Sequence, residues 1–90
     1  MLQIKIEKPT EEKLKNLGVK SWPIWEKEVS KFDWHYDQQE TCLILEGQVT
    51  VTPEDAEPVN IQAGDLVVFP QGMSCVWDIT EPIRKHYKFG

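Results

Sequence analysis

Ninety residues carry 15 Asp and Glu against 10 Lys and Arg, a formal net charge of −5, with 40% hydrophobic and 28% charged side chains. The cations are dispersed among acids, so no basic face exists for a phosphate backbone and a nucleic-acid partner is excluded. No apolar run approaches the roughly 20 residues of a bilayer-spanning helix, which excludes a membrane span of that kind.

A chain this short buries only about 60–65% of its unfolded surface, and four Trp, three Phe and two Tyr offset the small core. Residues 1–8 alternate charged and aliphatic side chains without a signal-peptide apolar block. The expected compartment is therefore the cytoplasm. In such a reducing setting Cys42 and Cys75 are expected as free thiols, with a bridge between them as the alternative.

Along the chain, residues 3–7 predict a short strand. Thr10 is a candidate N-cap ahead of Glu11 and Glu12, whose charge suits a helix N-terminus. Leu14 and Leu17 give that helix one apolar edge and Gly18 ends it, so a two-turn helix is expected to dock as a plug or edge cover. Phe32, Trp34 and Tyr36 alternate with Asp33, His35 and Asp37, the period of a half-buried strand. Strands follow at 41–45, closed by Glu46-Gly47, and at 48–52. A polar turn over 53–58 leads to strands at 59–62, 66–69, 74–79 and 83–89. Short strands at regular spacing with turn residues between them predict an all-β sandwich or barrel. No repeat or linker breaks the chain, so one domain over 1–90 is expected.

The stretch from Gly64 to Cys75 places Gly, five residues, Pro70, one residue, Gly72, two residues and then Cys75. This resembles the second signature of the cupin superfamily, G(X)5PXG(X)2H(X)3N, with Cys75 in the histidine place and Ile79 in the asparagine place. Glu40, six residues and Gly47 resemble the end of the first signature, G(X)5HXH(X)3-4E(X)6G. Its two histidine places fall on Trp34 and Tyr36, or on Asp33 and His35 if the gap is four residues. Trp22-Pro23-Ile24-Trp25, Leu45-Glu46-Gly47, Gly72-Met73-Ser74-Cys75-Val76-Trp77 and Lys85-His86-Tyr87 extend the likeness over most of the chain. They are similar to the small single-domain cupins grouped with the ureidoglycine aminohydrolase cupin domain and the ethanolamine-utilisation cupins. The resemblance implies an RmlC-like jelly-roll β-barrel of six to eight strands with one short N-terminal helix.

If Glu40 points into that barrel as the matching cupin glutamate does, Cys42 and Ile44 follow it, because residues two apart share a strand face. From Cys75 the same rule brings in Trp77 and Ile79, and parity through the turn before Glu40 brings in Trp34 and Tyr36. The expected pocket is Trp34, Tyr36, Glu40, Cys42, Cys75 and Trp77, apolar and aromatic with a few polar groups, suited to a small molecule. Lys85 and His86 are ligand-binding candidates whose orientation stays open. A carboxylate in an apolar barrel is desolvated and can act as acid or base, with Tyr36 or Cys75 assisting; alternatively Glu40 bonds Tyr36 or Lys85 and only fixes the barrel. Cys75 is a nucleophile, a soft metal ligand or a small buried hydrophobe.

No cofactor is firmly implied. A divalent Zn, Mn or Fe site would draw on Glu40, Cys75 and His35, although His35 has the opposite parity to Tyr36. Three readings follow: a small-molecule binder with acid–base chemistry, a structural or regulatory dimer, and a metal-dependent hydrolase of the aminohydrolase type. Trp22, Trp25, Phe32 and Trp34 are expected as core or dimer interface, and an open strand edge at 3–6 favours a homodimer.

Overall fold

Alternating apolar residues from Ile24 onward build almost the whole molecule. The structure, a computed structural model, describes residues 2–90. Strand β1 (Lys5–Glu7) and helix α1 (Glu11–Leu17) precede a single 3-10 turn at Val19–Ser21. Then come β2 (Ile24–Lys27), β3 (Ser30–His35), β4 (Glu40–Pro53), β5 (Val59–Gln62), β6 (Leu66–Phe69) and β7 (Ser74–Phe89). They form one antiparallel sheet in the order β1-β6-β4-β7-β2, with β3 also on β7 and β5 also on β4. Among the described residues no helix is long and apolar enough to cross a membrane.

The two long strands are the spine. The predicted strands 41–45 and 48–52 are one element, β4, and 74–79 and 83–89 are likewise one element, β7. They pair from Glu40↔Phe89 to Pro53↔Cys75, with register shifts between Ile44 and Val49. There the buried face of β4 changes parity: Glu40, Cys42 and Ile44 point in before the kink, Val49, Val51 and Pro53 after it. Gly47 permits the kink. Its φ is +99°, and a Cβ there would run into the Pro82 carbonyl. Glycine occupies such a backbone without the penalty other residues meet.

The sheet curls so that its buried face meets itself. Phe69 on β6 stacks on Tyr36 beyond β3, with ring centroids 4.8 Å apart and planes 8° apart. Val49, Val51, Ile61, Val67 and Ile79 complete the interior, each at most 2% exposed. Rings packed this way contribute beyond their buried area.

Helix α1 departs from expectation. Thr10 caps it as predicted, accepting from the Lys13 N–H at 3.1 Å, and Gly18 ends it at φ 69°. Its apolar edge does not dock: no residue of α1 is buried, and Leu17 is exposed. The left-handed turn at Gly18 instead sends the next residue, Val19, into the protein. The predicted strand 3–7 narrows to Lys5–Glu7, and its edge is not open on both sides, because Lys5 to Glu7 pair with Val68 to Leu66.

Candidate functional site

Glu40 opens β4 between Phe69 on β6 and Phe89 on β7. It points inward and is 3% exposed. On β7 the buried positions keep one parity through Cys75, Trp77, Ile79 and Ile83 to Lys85, although Thr80 to Pro82 are exposed. The orientation left open between Lys85 and His86 is thereby decided. Lys85 enters and places Nζ 2.6 Å from Glu40 Oε2, with both side chains buried. The ammonium also lies over two indoles, 4.8 Å from the Trp25 centroid and 4.7 Å from that of Trp77. Carboxylate and π faces together replace the water that a buried ammonium loses.

His86 faces the other way, where Nδ1 donates to the Trp22 carbonyl at 2.9 Å. His35 is also outside, with Nδ1 2.8 Å from Ser74 Oγ. Neither histidine reaches Glu40.

The pair forms the charged part of a cavity of about 170 Å³. Seven aromatic side chains supply the rest of its lining. Trp25, Phe32 and Trp77 stand on one side, and Phe32 and Trp77 stack at 6.1 Å and 20° while Trp25 meets Trp77 edge-on at 5.9 Å. Tyr36 and Tyr87 extend the wall, and the half-exposed Trp34 and Phe89 form the rim. Of the expected pocket residues, Trp34, Tyr36, Glu40 and Trp77 come together here. Cys42 and Cys75 do not line the cavity. Cys42 is wholly buried in the core, and Cys75 lies on a wider hollow with Asp33, His35 and Glu54.

Four lining residues, Trp25, Phe32, Tyr87 and Phe89, fall outside the pocket drawn from sequence. Trp25 is placed by its pairing with Lys85, and Tyr87 and Phe89 by β7 running unbroken past Pro82. Counting eight residues from Trp77 would have turned Lys85 inward; the exposed Thr80-Glu81-Pro82 segment hides that continuity.

Burial shapes the protonation of the neighbours. The Tyr36 phenol is driven far above its ordinary range, by burial first and then by the Glu40 carboxylate and the two thiols, so it stays neutral. Burial pushes the Cys42 thiol up to about 12, against the nearby Lys85 ammonium, and the Cys75 thiol up to about 11. Both cysteines are free thiols and protonated at neutral pH, which withholds the thiolate a nucleophile needs. Tyr36 Oη and Trp77 Nε1 are buried and have no hydrogen-bond partner among the described residues. The indole N–H favours the ionised forms of Tyr36 and Cys75 electrostatically, but it is not aligned to bond either.

A divalent metal does not fit this donor set. The ammonium of Lys85 occupies the charged side of Glu40, Cys75 lies on the other hollow, and His35 is on the outer face. The set Glu40, Cys75 and His35 is not assembled, and no other group of three such ligands occurs among the described residues.

The model of the EutQ-like cupin domain matches residues 14–87. The chain is similar to a DUF861-family protein of Thermotoga maritima, at 61% identity and TM-score 0.96 over 98% of this chain and 100% of that one. The fold is shared with a putative ethanolamine utilisation protein Q of Salmonella typhimurium, at 21% identity and TM-score 0.67 over 96% of this chain and 68% of that one. It is shared too with the EutQ protein of Clostridium difficile, at 21% identity and TM-score 0.66, where 73% of this chain spans 52% of that one. No curated protein matches the chain.

Proposed function

The chain belongs to the EutQ-like cupin family, and we propose that it works as a jelly-roll barrel binding a small molecule against the Glu40–Lys85 pair. One observation carries this reading: a buried ion pair stands in the wall of an aromatic cavity and not in packed core. Two charges withdrawn from water stabilise a fold little, and apolar replacements of similar volume often do better. The hollow supports a ligand-binding barrel over a structural or regulatory one filled by its own side chains.

In the proposed site Glu40 serves as acid or base, the pairing ammonium as the group that holds charge, and the neutral Tyr36 phenol as a hydrogen-bond donor. Cys42 and Cys75 take the role of small buried core residues. Thermal-shift screening against neutral and charged compounds of up to about ten non-hydrogen atoms tests the reading. At least one class should raise the unfolding temperature of the wild type saturably. A Phe89→Ala change, which opens the rim, should weaken that shift without unfolding the protein. A screen in which no compound stabilises the wild type would sink the proposal.

A further inference from the structure

We infer that the ligand of this cavity is a neutral, planar, single-ring molecule carrying a hydrogen-bond donor beside an acceptor. This rests on the reading of the barrel as a small-molecule site.

Charge comes first. The lining holds one carboxylate and one ammonium, already joined at 2.6 Å. A charged ligand would enter without a free counter-charge and would remain desolvated and uncompensated. A neutral ligand avoids that cost.

Size and shape come next. The cavity of about 170 Å³ is slightly larger than the apolar hole of about 150 Å³ that accommodates benzene in another protein. One ring with one or two small substituents fills it. The aromatic lining, Tyr36, Tyr87 and Phe89 among it, gives such a ring apolar surface to pack on.

The polar groups fix what the ring must carry. Glu40 uses Oε2 to hold Lys85, and the one side-chain hydrogen bond it accepts among the described residues is that one, which leaves Oε1 available. A carboxylate oxygen can only accept, so the ligand must bring an N–H or O–H. The Lys85 ammonium has three donors; one goes to Glu40, and the nitrogen lies over the Trp25 and Trp77 rings, so the others are satisfied at best by a ring. A ligand carbonyl can draw one of them off a ring and gain a stronger partner. Donor and acceptor must therefore be neighbours, because the groups they meet are bonded to each other.

Isothermal titration of the wild type with four probes decides this: alpha-pyridone, benzene, benzoate and benzylammonium. Alpha-pyridone should bind about tenfold more tightly than benzene, and more tightly than either ion by at least as much. In Glu40→Gln the pyridone advantage should fall about tenfold while benzene affinity stays within about twofold. If Glu40→Gln does not fold, the wild-type ranking alone decides. Tightest binding of benzoate or benzylammonium would overturn the neutral class, and equal binding of pyridone and benzene would overturn the polar requirement. Failure of all four probes, benzene included, would overturn the underlying binding site itself.

Discussion

At the scale of single residues the Glu40–Lys85 pair sets the terms. Each partner is at most 5% exposed, so removing one strands the other without water. Glu40→Leu or Lys85→Met alone should each cost roughly 3–5 kcal/mol. The double change should cost less than the sum of the two by well over 1 kcal/mol, because no buried charge remains. Urea unfolding of the four proteins measures the coupling, and strict additivity would mean the pair is not the buried unit described. Of these two residues, Glu40 is legible from sequence through its spacing to Gly47. Lys85 is legible as a candidate partner of Glu40, but its inward turn is not, because it depends on parity surviving Pro82, which a sequence read without its partner strand interprets as a break. Cys75 shows the opposite failure. Its place in the signature is correct and its strand face is correct, yet burial keeps its thiol protonated and the curl of the sheet sets it away from the cavity.

At the scale of elements the kink in β4 has the largest effect. Turn residues at Glu46-Gly47 suggest two strands, but the pairing with β7 continues across them because Gly47 absorbs the strain at φ +99°. The parity change there keeps both halves of β4 facing inward as the sheet bends. Gly47→Ala should destabilise by more than the roughly 1 kcal/mol of an average point mutation, about 2–4 kcal/mol, since left-handed strain adds to a collision with the Pro82 backbone. Denaturant titration checks it, and a loss below about 0.5 kcal/mol would show that the kink can relax. Helix α1 illustrates how local signals and tertiary fate separate. Its N-cap and C-cap are readable from Thr10 and Gly18, while the docking of Leu14 and Leu17 is not, because the residue that turns inward is Val19.

At the scale of the whole molecule the strand rhythm and the two signatures are enough to find the family, the antiparallel sheet and much of the cavity wall. Its remaining wall comes from Trp25 on β2, Phe32 on β3 and the end of β7, brought together only by long-range pairing. The homodimer expected from the N-terminal edge remains a proposal, supported by the two ends of the sheet, β1 and β2, and by the exposed Ile6 and Ile24 on them. Analytical ultracentrifugation should show a dimer that Ile24→Glu converts to monomer. A monomeric wild type at high micromolar concentration would dismiss it.

The arrangement of tryptophans carries one more consequence. Trp25, Trp34 and Trp77 all line the cavity, and only Trp22 stands apart from it. Light emitted by this protein therefore comes chiefly from the wall of its own binding site, two of whose indoles touch a positive charge. Whatever enters the cavity changes the polarity around most of the fluorophores at once. The molecule is in effect an unlabelled sensor of its own contents, with Trp22 as its steady background.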